Sequence, residues 1–396
     1  MPSIVNMIEL IQKLESPFIT VHHERCILVR NRNADCLRCA EACTSGCISF
    51  DGENLSFSPD KCIGCGTCAN VCPTCCLEAH HPSDEQLLSE CLRSSEATGG
   101  NAVIACGELL DRAKGLYDTG KVARVECLGR VDESTLTALA AAKVERITLA
   151  HGACESCPHS TGRNVIENVL ETEKNLLEAW SSPVETVLAA KLPGMVRCEK
   201  SGFDTLKRNA FRNAGKDAMR IGATALDHAI TRRPSEAEQI RDAQEAHYSK
   251  VMEDGTLPHF IPDRRDRLLD SLFEIGKPED TMVDTRLWGH VTIDADICDS
   301  CRMCAVFCPT GALGKFDDED GFGIEHHPSD CVQCRCCATI CPTGALSLSE
   351  KVFARDIAEG TSERYPMRPP AIKRGKPHSI WHIAKTLMTI GEVYER

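Results

Sequence analysis

Between residues 100 and 150 short apolar runs alternate with helical stretches. Ala102-Val-Ile-Ala-Cys106 predicts a buried strand, Val122-Ala-Arg-Val-Glu-Cys127 a second and Arg146-Ile-Thr-Leu-Ala150 a third. Apolar residues at helical spacing predict helices over about Glu133–Ala142 and Arg163–Trp180. Strands alternating with helices make residues 85-195 a small parallel α/β domain. From Ser201 to Glu279 the pattern becomes charged and helical, with helices expected over Ala210–Ile230, Ser235–Met252 and Asp263–Phe273. Such charge patterns usually mark solvated faces, so residues 196-284 read as a helical linker that braces its neighbours. Met1–Glu15 predicts a short amphipathic helix. A Pro-rich tail over 351-396 ends in an apolar-striped helix with Ile380, Trp381, Ile383, Leu387, Met388 and Ile390, suited to docking on this chain or a partner. No run approaches the roughly 18 consecutive apolar residues of a membrane span.

Composition narrows the function. The 396 residues leave room for roughly two to four domains. Aromatics at 5% offer no stacking platform for single-stranded nucleic acid, and a formal charge of -13 disfavours a polyanionic partner. The 26 cysteines are decisive. Thiols in such number serve either disulfides in a secreted chain or metal in a reducing compartment. Met1–Glu15, with Glu9, Lys13 and Glu15, lacks the basic start and apolar run of a signal peptide. A cytoplasmic chain with metal-binding cysteines is expected.

Cys298, Cys301, Cys304 and Cys308 form a Cys-x2-Cys-x2-Cys-x3-Cys run followed by Pro309. The run repeats at Cys331, Cys334, Cys337 and Cys341, followed by Pro342, and both copies continue Thr-Gly-Ala-Leu. Three thiolates on one tight loop reach three irons of a cube, while the fourth leads into the other cluster. The expected sets are therefore Cys298, Cys301, Cys304 with Cys341, and Cys331, Cys334, Cys337 with Cys308. Zinc ribbons also use Cys-x2-Cys pairs, but not two four-cysteine runs with a trailing proline. The stretch from about Val291 to Leu348 resembles the bacterial two-cluster [4Fe-4S] ferredoxins, which implies a pseudo-twofold α+β fold in residues 285-350.

A second copy occupies residues 1-84. Cys62, Cys65, Cys68 and Cys72, then Pro73, fit the run. The first half is irregular. One reading takes Cys36, Cys39, Cys43 and Cys47 as ligands. The internal duplication, matching Cys39-Ala-Glu-Ala-Cys43 to Cys68-Ala-Asn-Val-Cys72, makes Cys43 the fourth ligand and puts Asn33 where a first ligand belongs. Cys26 is the natural substitute. The expected sets are Cys26, Cys36, Cys39 with Cys72, and Cys62, Cys65, Cys68 with Cys43; loss of the first cluster, or a [3Fe-4S] centre, is the alternative. Cys26-Ile-Leu-Val-Arg30 ahead of the cysteine run resembles ferredoxin-like proteins with a Cys-x3-Arg stretch in that place. Cys47, Cys75 and Cys76 read as small buried hydrophobes.

In the middle domain Cys106, Cys127, Cys154 and Cys157 end strands or follow them, so they are expected to gather where parallel sheets bind ligands. An iron–sulfur centre, a structural zinc or buried thiols would each explain them. His151 and His159 are candidate supporting groups. Cys127-Leu-Gly-Arg-Val-Asp132 and Gly152-Ala-Cys154-Glu-Ser-Cys157-Pro-His159 resemble the delta subunit of methyl-viologen-reducing hydrogenase, which implies a [2Fe-2S] cluster and electron transfer. No Gly-x-Gly-x-x-Gly follows a strand, so nucleotide binding is unsupported.

The fold expected is thus multidomain α+β and α/β: two ferredoxin-like 2[4Fe-4S] modules flanking a small parallel α/β domain and a helical linker. Four [4Fe-4S] clusters and one [2Fe-2S] cluster would make an electron-transfer subunit of a cytoplasmic anaerobic oxidoreductase. It would work beside a redox partner carrying flavin, molybdopterin or a hydrogenase centre. An enzyme reacting at the middle centre would need an open coordination position, and a redox sensor would need an output domain; the sequence shows neither.

Overall fold

The computed structural model describes residues 18–31, 33–50, 55–198, 252, 255–319 and 321–368. The helices expected over Met1–Glu15, Ala210–Ile230, Ser235–Met252 (Met252 itself apart) and in the tail beyond Ile380 lie outside the described residues.

The N-terminal module runs β1 (Ile19–Val21), α1 (Ile27–Arg30), α2 (Arg38–Glu41), β2 (Ile48–Phe50), β3 (Leu55–Phe57), α3 (Thr67–Val71) and β4 (Leu77–Ala79). β1 pairs antiparallel with β4, Ile19 opposite Ala79, and β2 with β3, Ile48 opposite Phe57. Ile19, Val29, Ile48, Ala69 and Leu77 bury against each other and against cysteines. So few apolar side chains make a thin core, the usual condition of a small domain that leans on metal.

The middle domain follows. A capping box of Ser83 and Gln86 starts α4 (Asp84–Ala97). Then come β5 (Asn101–Cys106), α5 (Gly107–Arg112), β6 (Ala123–Val125), α6 (Glu133–Ala141), β7 (Arg146–Ala150), α7 (Gly162–Ala179) and β8 (Glu185–Ala189). Asp132 caps α6 by accepting from the Thr135 N–H at 3.0 Å. The four strands are all parallel in the order β6-β5-β7-β8. Every residue of β5 is buried, as expected of a central strand covered on both faces. β6 is shorter than the expected strand, leaving Cys127 in the loop beyond it, and β8 is a fourth strand absent from the sequence-based expectation.

The linker supplies α8 (Asp263–Ile275) and β9 (Met282–Asp284). The C-terminal module then runs β10 (His290–Ile293), α9 (Met303–Phe307), β11 (Leu313–Asp318), β12 (Gly321–His326), α10 (Cys336–Ile340) and β13 (Leu346–Ser349). β10 pairs with β13 and β11 with β12, all antiparallel, repeating the N-terminal topology. Ordered packing continues past residue 350. β14 (Lys351–Phe353) pairs with β9, α11 (Ala354–Glu359) follows, and β15 (Glu363–Pro366) adds a third strand to β11-β12. Residues 351–366, expected to begin a docking tail, are therefore built into this end of the molecule.

α8 joins the middle domain to the C-terminal end. Leu268 and Leu272 bury with Leu176 and Trp180 at the end of α7 and with Val283, Trp288, Val352 and Ile357. On its other side Arg264 pairs with Asp132 at 3.2 Å. Among the described residues no helix is long and apolar enough to cross a membrane.

Candidate metal centres

The ligand loops are shaped by backbone turns. In the C-terminal module Ser300 and Arg302 flank Cys301, and Gln333 and Arg335 flank Cys334; all four have positive φ, between 50° and 63°. Gly64 and Gly66 flank Cys65 in the same way, at 67° and 71°. Alternating hands turn successive N–H groups toward one point, a nest that suits phosphate or an iron–sulfur cluster. Each helix that follows is stopped by proline. The residue before a proline is pushed from helical to extended backbone, so Cys72, Cys308 and Cys341 adopt ψ of 112°, 122° and 117° and leave their helix axis. The irregular half lacks both devices. Leu37 has φ −115°, and Thr44 stands where a proline would follow Cys43.

Buried thiols lie beside one another in each module. Burial raises Cys304, with repulsion from Cys301, Cys298 and Cys341 added. Burial also raises Cys337, helped by Cys334, Cys331 and Cys308. Cys39 is raised by burial and then by Cys72, Cys26 and Cys36, which brings Cys26 beside the N-terminal set from which Asn33 leaves a gap. Cys68 is raised by burial and by Cys65, Cys39, Cys62 and Cys43. In the middle domain burial pushes Cys127 up to about 12, with Cys106 and Cys157 among its repelling neighbours, and Cys154 is raised by burial and by Cys106. The Gly152 N–H donates to Cys106 Sγ at 3.3 Å, and the Gly129 N–H to Cys127 Sγ at 3.4 Å. A Cβ at Gly162 would collide with Cys127 Sγ, so glycine there lets α7 start against the thiol. Of the two histidines, His151 Nδ1 lies 3.8 Å from Cys154 Sγ and Nε2 lies 2.7 Å from Arg163 Nη1. The Cys127 thiol faces the His159 carbonyl at 3.8 Å.

Neighbouring groups feel one another electrostatically in sequence. Cys127 lies close enough to Cys65 for their thiolates to repel, and so do Cys68 and Cys39, Cys336 and Cys36, and Cys337 and Cys304. The two modules meet where Cys36, Cys301 and Cys334 pack against Ile27, Met303, Phe307 and Cys336. Arg38 Nη2 donates across this junction to the Gln333 carbonyl at 3.1 Å, and Asn31 Nδ2 to Thr339 Oγ1 at 3.1 Å. The middle domain meets the N-terminal module where Asn70 Nδ2 donates to the Gly129 and Val131 carbonyls at 2.9 and 2.6 Å.

The residues present fit iron–sulfur clusters. One cavity is lined by Cys43, Cys62, Cys65 and Cys68, with Ile19, Ile48 and Ile63, and another by Cys308, Cys331, Cys334 and Cys337, with Val291, Leu313 and Leu348. Among the described residues no three Cys, His, Asp or Glu side chains close on a point as a single ion would require. Thiols ringing a wider space are what a four-iron cube asks of its ligands. Thiols raised by burial ionise poorly alone, whereas iron takes them as thiolates. All 26 cysteines are free of disulfides.

Several neighbours escaped the sequence reading. Cys47 and Cys76 are buried as expected, at 4% and 6% exposure, but they also bond to other thiols. The Cys47 thiol beside Cys43 holds it down at about 5, and the Cys76 thiol does the same to Cys72, also about 5. Cys75 is not a buried hydrophobe. It has φ 48° and accepts from Arg264 Nε and Nη2 at 3.3 and 3.2 Å. Arg30 and Arg265 lie inside the protein beside cysteine carbonyls. An isolated arginine in sequence gives no signal of such a place; the Cys-x3-Arg spacing was the only hint at Arg30.

Comparison with known proteins agrees with this chemistry. The 4Fe-4S dicluster domain family matches residues 297–345, and the 4Fe-4S binding domain family matches residues 55–74. A 71-residue segment is 38% identical to the pyruvate synthase subunit PorD of Thermotoga maritima. That segment is 18% of this chain and spans 64% of the relative's length. No solved structure matches. The chain carries 4Fe-4S ferredoxin-type domains toward both ends.

Proposed function

We propose that the chain is the multi-cluster wire of a larger cytoplasmic oxidoreductase, with five stations in a fixed order. The middle centre, a [2Fe-2S] cluster on Cys106, Cys127, Cys154 and Cys157, is the first. Then come [4Fe-4S] clusters on Cys43, Cys62, Cys65 and Cys68; on Cys26, Cys36, Cys39 and Cys72; on Cys308, Cys331, Cys334 and Cys337; and on Cys298, Cys301, Cys304 and Cys341. The observation that carries this reading is the series of neighbouring thiols from Cys127 to Cys304, in which the non-ligand Cys336 stands between Cys36 of one set and Cys308 of the next. Each cluster, when bound, supplies one-electron redox chemistry. The polypeptide holds the stations in place. The resemblance of the middle domain to the hydrogenase delta subunit supports the two-iron assignment.

A wire needs a donor and an acceptor. The similarity to a pyruvate synthase subunit supports a place beside catalytic subunits, and a partner carrying flavin, molybdopterin or a hydrogenase centre would fill either role. The test is anaerobic reconstitution with iron and sulfide assays and EPR during a redox titration. Roughly 18 irons per chain, with signals broadened by coupling between neighbouring clusters, are expected. About 16 irons or fewer without a two-iron signal would remove the middle station. Sharp, uncoupled signals would break the wire.

A further inference from the structure

The cluster expected on Cys308, Cys331, Cys334 and Cys337 lies between two buried arginines from different parts of the chain. Arg30, at the end of α1, is 3% exposed; its Nη2 donates to the Cys308 carbonyl at 3.3 Å and its Nη1 to the Pro258 carbonyl at 2.9 Å. Arg265, on α8, is 8% exposed; its Nη2 donates to the Cys331 carbonyl at 3.2 Å and to the Leu287 carbonyl, and its guanidinium stacks 4.3 Å from the Trp288 ring centre.

Neither arginine has a carboxylate within ion-pair distance among the described residues. The other inward-facing arginines do: Arg130 pairs with Asp84, Arg264 with Asp132 at 3.2 Å and Arg286 with Glu133 at 2.5 Å. Of the acids that act on Arg265, Asp266 and Asp330 are exposed to water and Glu133 is already held by Arg286. The groups facing them are thiols: Cys336, a non-ligand whose burial pushes it up to about 12 and keeps it neutral, then the ligands Cys308 and Cys334 for Arg30, and Cys331 first for Arg265. Burial lowers the pKa of Arg265 to about 10, which still leaves it charged at neutral pH. Each arginine also keeps one buried N–H without an acceptor, Nε of Arg30 and Nη1 of Arg265. A buried, unpaired charge is expensive. Two of them around one thiol set call for an anion with acceptor atoms, which a thiolate-ligated cluster is.

We infer that Arg30 and Arg265 raise the reduction potential of this cluster above those of the other cubes, making it an electron store one station from the C-terminal end of the wire. Reduction adds one electron and one negative charge, with no bond made or broken, and fixed positive charges in a poorly screened interior favour that state. The electron comes from a neighbouring station and leaves to the next. The outer cluster of the same module has the opposite surroundings. The Asp299 carboxylate accepts from the Cys301 N–H at 3.2 Å, and Asp294 and Asp296 lie on the same loop.

This inference rests on the proposed ligand sets, and the test separates the two. Iron and sulfide counts on the reconstituted full chain test the sets. EPR-monitored potentiometric titration then compares wild type with Arg30→Met, Arg265→Met, the double variant, and Arg30→Lys and Arg265→Lys. In wild type the cube reduced at the highest potential should be the one whose signal changes in Cys334→Ser. That signal alone should move to more negative potential in each methionine variant and further in the double variant, while the lysine variants stay near wild type. If the methionine variants lose iron, the Cys334→Ser assignment and the lysine variants still decide. A first-reduced cube other than that of Cys334, an equal shift of all signals, or lysine variants displaced as far as methionine ones would overturn the inference.

Discussion

The two ferredoxin-type modules share one topology, strand, helix, hairpin, helix, strand, yet they reach it with different residues at matching places. Around the second ligand of a run, the N-terminal module uses Gly64 and Gly66 where the C-terminal module uses Ser300, Arg302, Gln333 and Arg335, all with positive φ. Three residues after the fourth ligand stand Gly46, Gly311 and Gly344, but also Cys75, again all with positive φ. Four residues after it stand Cys47 and Cys76 in one module and Ala312 and Ala345 in the other. The backbone path is thus the fixed element, because it aims the N–H groups and thiols. The side chains at these places are free to differ in what they present to a cluster.

The largest contrast lies in the irregular first loop, where we propose that Cys26 replaces a ligand that the C-terminal module takes from its regular run. Cys26→Ala should remove a cluster, lowering iron by about four per chain, or by about one if a [3Fe-4S] centre survives. Cys47→Ala should leave iron unchanged. Iron and sulfide assays with EPR decide. The reverse result would mean that the loop uses Cys36, Cys39, Cys43 and Cys47 and that the modules differ more deeply than the duplication implies.

A second contrast depends on pH. Counting back from Cys62 and Cys331, Phe57 of the N-terminal module matches His326 of the other. His326 is fully buried, with Nδ1 donating to the Ala312 carbonyl at 3.1 Å and Nε2 accepting from the Val291 N–H at 3.0 Å. Burial holds it down at about 4. The unfolded chain, with histidine near 6.5, then binds the proton first. Stability from this group is full above about pH 6.5 and falls as pH drops toward about 4, by up to about 3 kcal/mol. Denaturant midpoints of the anaerobic holoprotein at pH 7.5 and 5 should converge in His326→Gln. An undiminished pH dependence in the variant would place the titration elsewhere.

The third contrast concerns backbone strain. A Cβ at Gly66 would strike the side chain of Arg130, which is fixed by Asp84 and by the Pro82 carbonyl at 3.2 Å. Gly66→Ala should therefore cost about 1–3 kcal/mol, the scale of a residue forced into a sparsely populated conformation. Arg335→Gly, at the matching place, should relieve that conformation and change stability less. Thermal unfolding of both variants checks the order. Equal losses would mean that Arg335 contributes through its contact with Glu350 at 3.3 Å rather than through its backbone.

Cysteine spacing and internal duplication made the cysteine neighbourhoods legible, with Cys26 beside Cys39, because local loop geometry and sequence distance are tied together. Three strands of the middle domain were legible for a similar reason: buried parallel strands are nearly pure apolar runs. β8 was not, since its Glu-Thr-Val-Leu-Ala lies at a half-exposed edge and carries a weaker pattern. Nor were β14 and β15, whose partners β9 and β12 come from distant parts of the sequence. Arg30 and Arg265 were hidden for the same reason. Their burial depends on the modules and α8 coming together, and nothing local to either residue records it.

The smallest contrast is the most specific. The N–H of Cys76 donates to Cys72 Sγ at 3.3 Å, and the N–H of Ala345 donates to Cys341 Sγ at 3.3 Å, so the backbone serves both clusters alike. Only the N-terminal module adds a thiol donor, and Cys76 bonds both Cys72 and Cys26. Hydrogen bonds to cluster sulfurs favour the reduced, more negative state. Cys76→Ala should therefore make the potential of the N-terminal cluster on Cys26 and Cys72 more negative. A net hydrogen bond of about 1 kcal/mol corresponds to about 40 mV for one electron, an upper figure for a weak thiol donor. Ala345→Cys should move the cluster on Cys341 the other way. Potentiometry on both variants makes the test reciprocal. Opposite shifts of similar size would assign the difference between these two clusters to one thiol. A shift in Cys76→Ala without its counterpart would mean that Cys26, and not the position after the fourth ligand, makes the thiol effective.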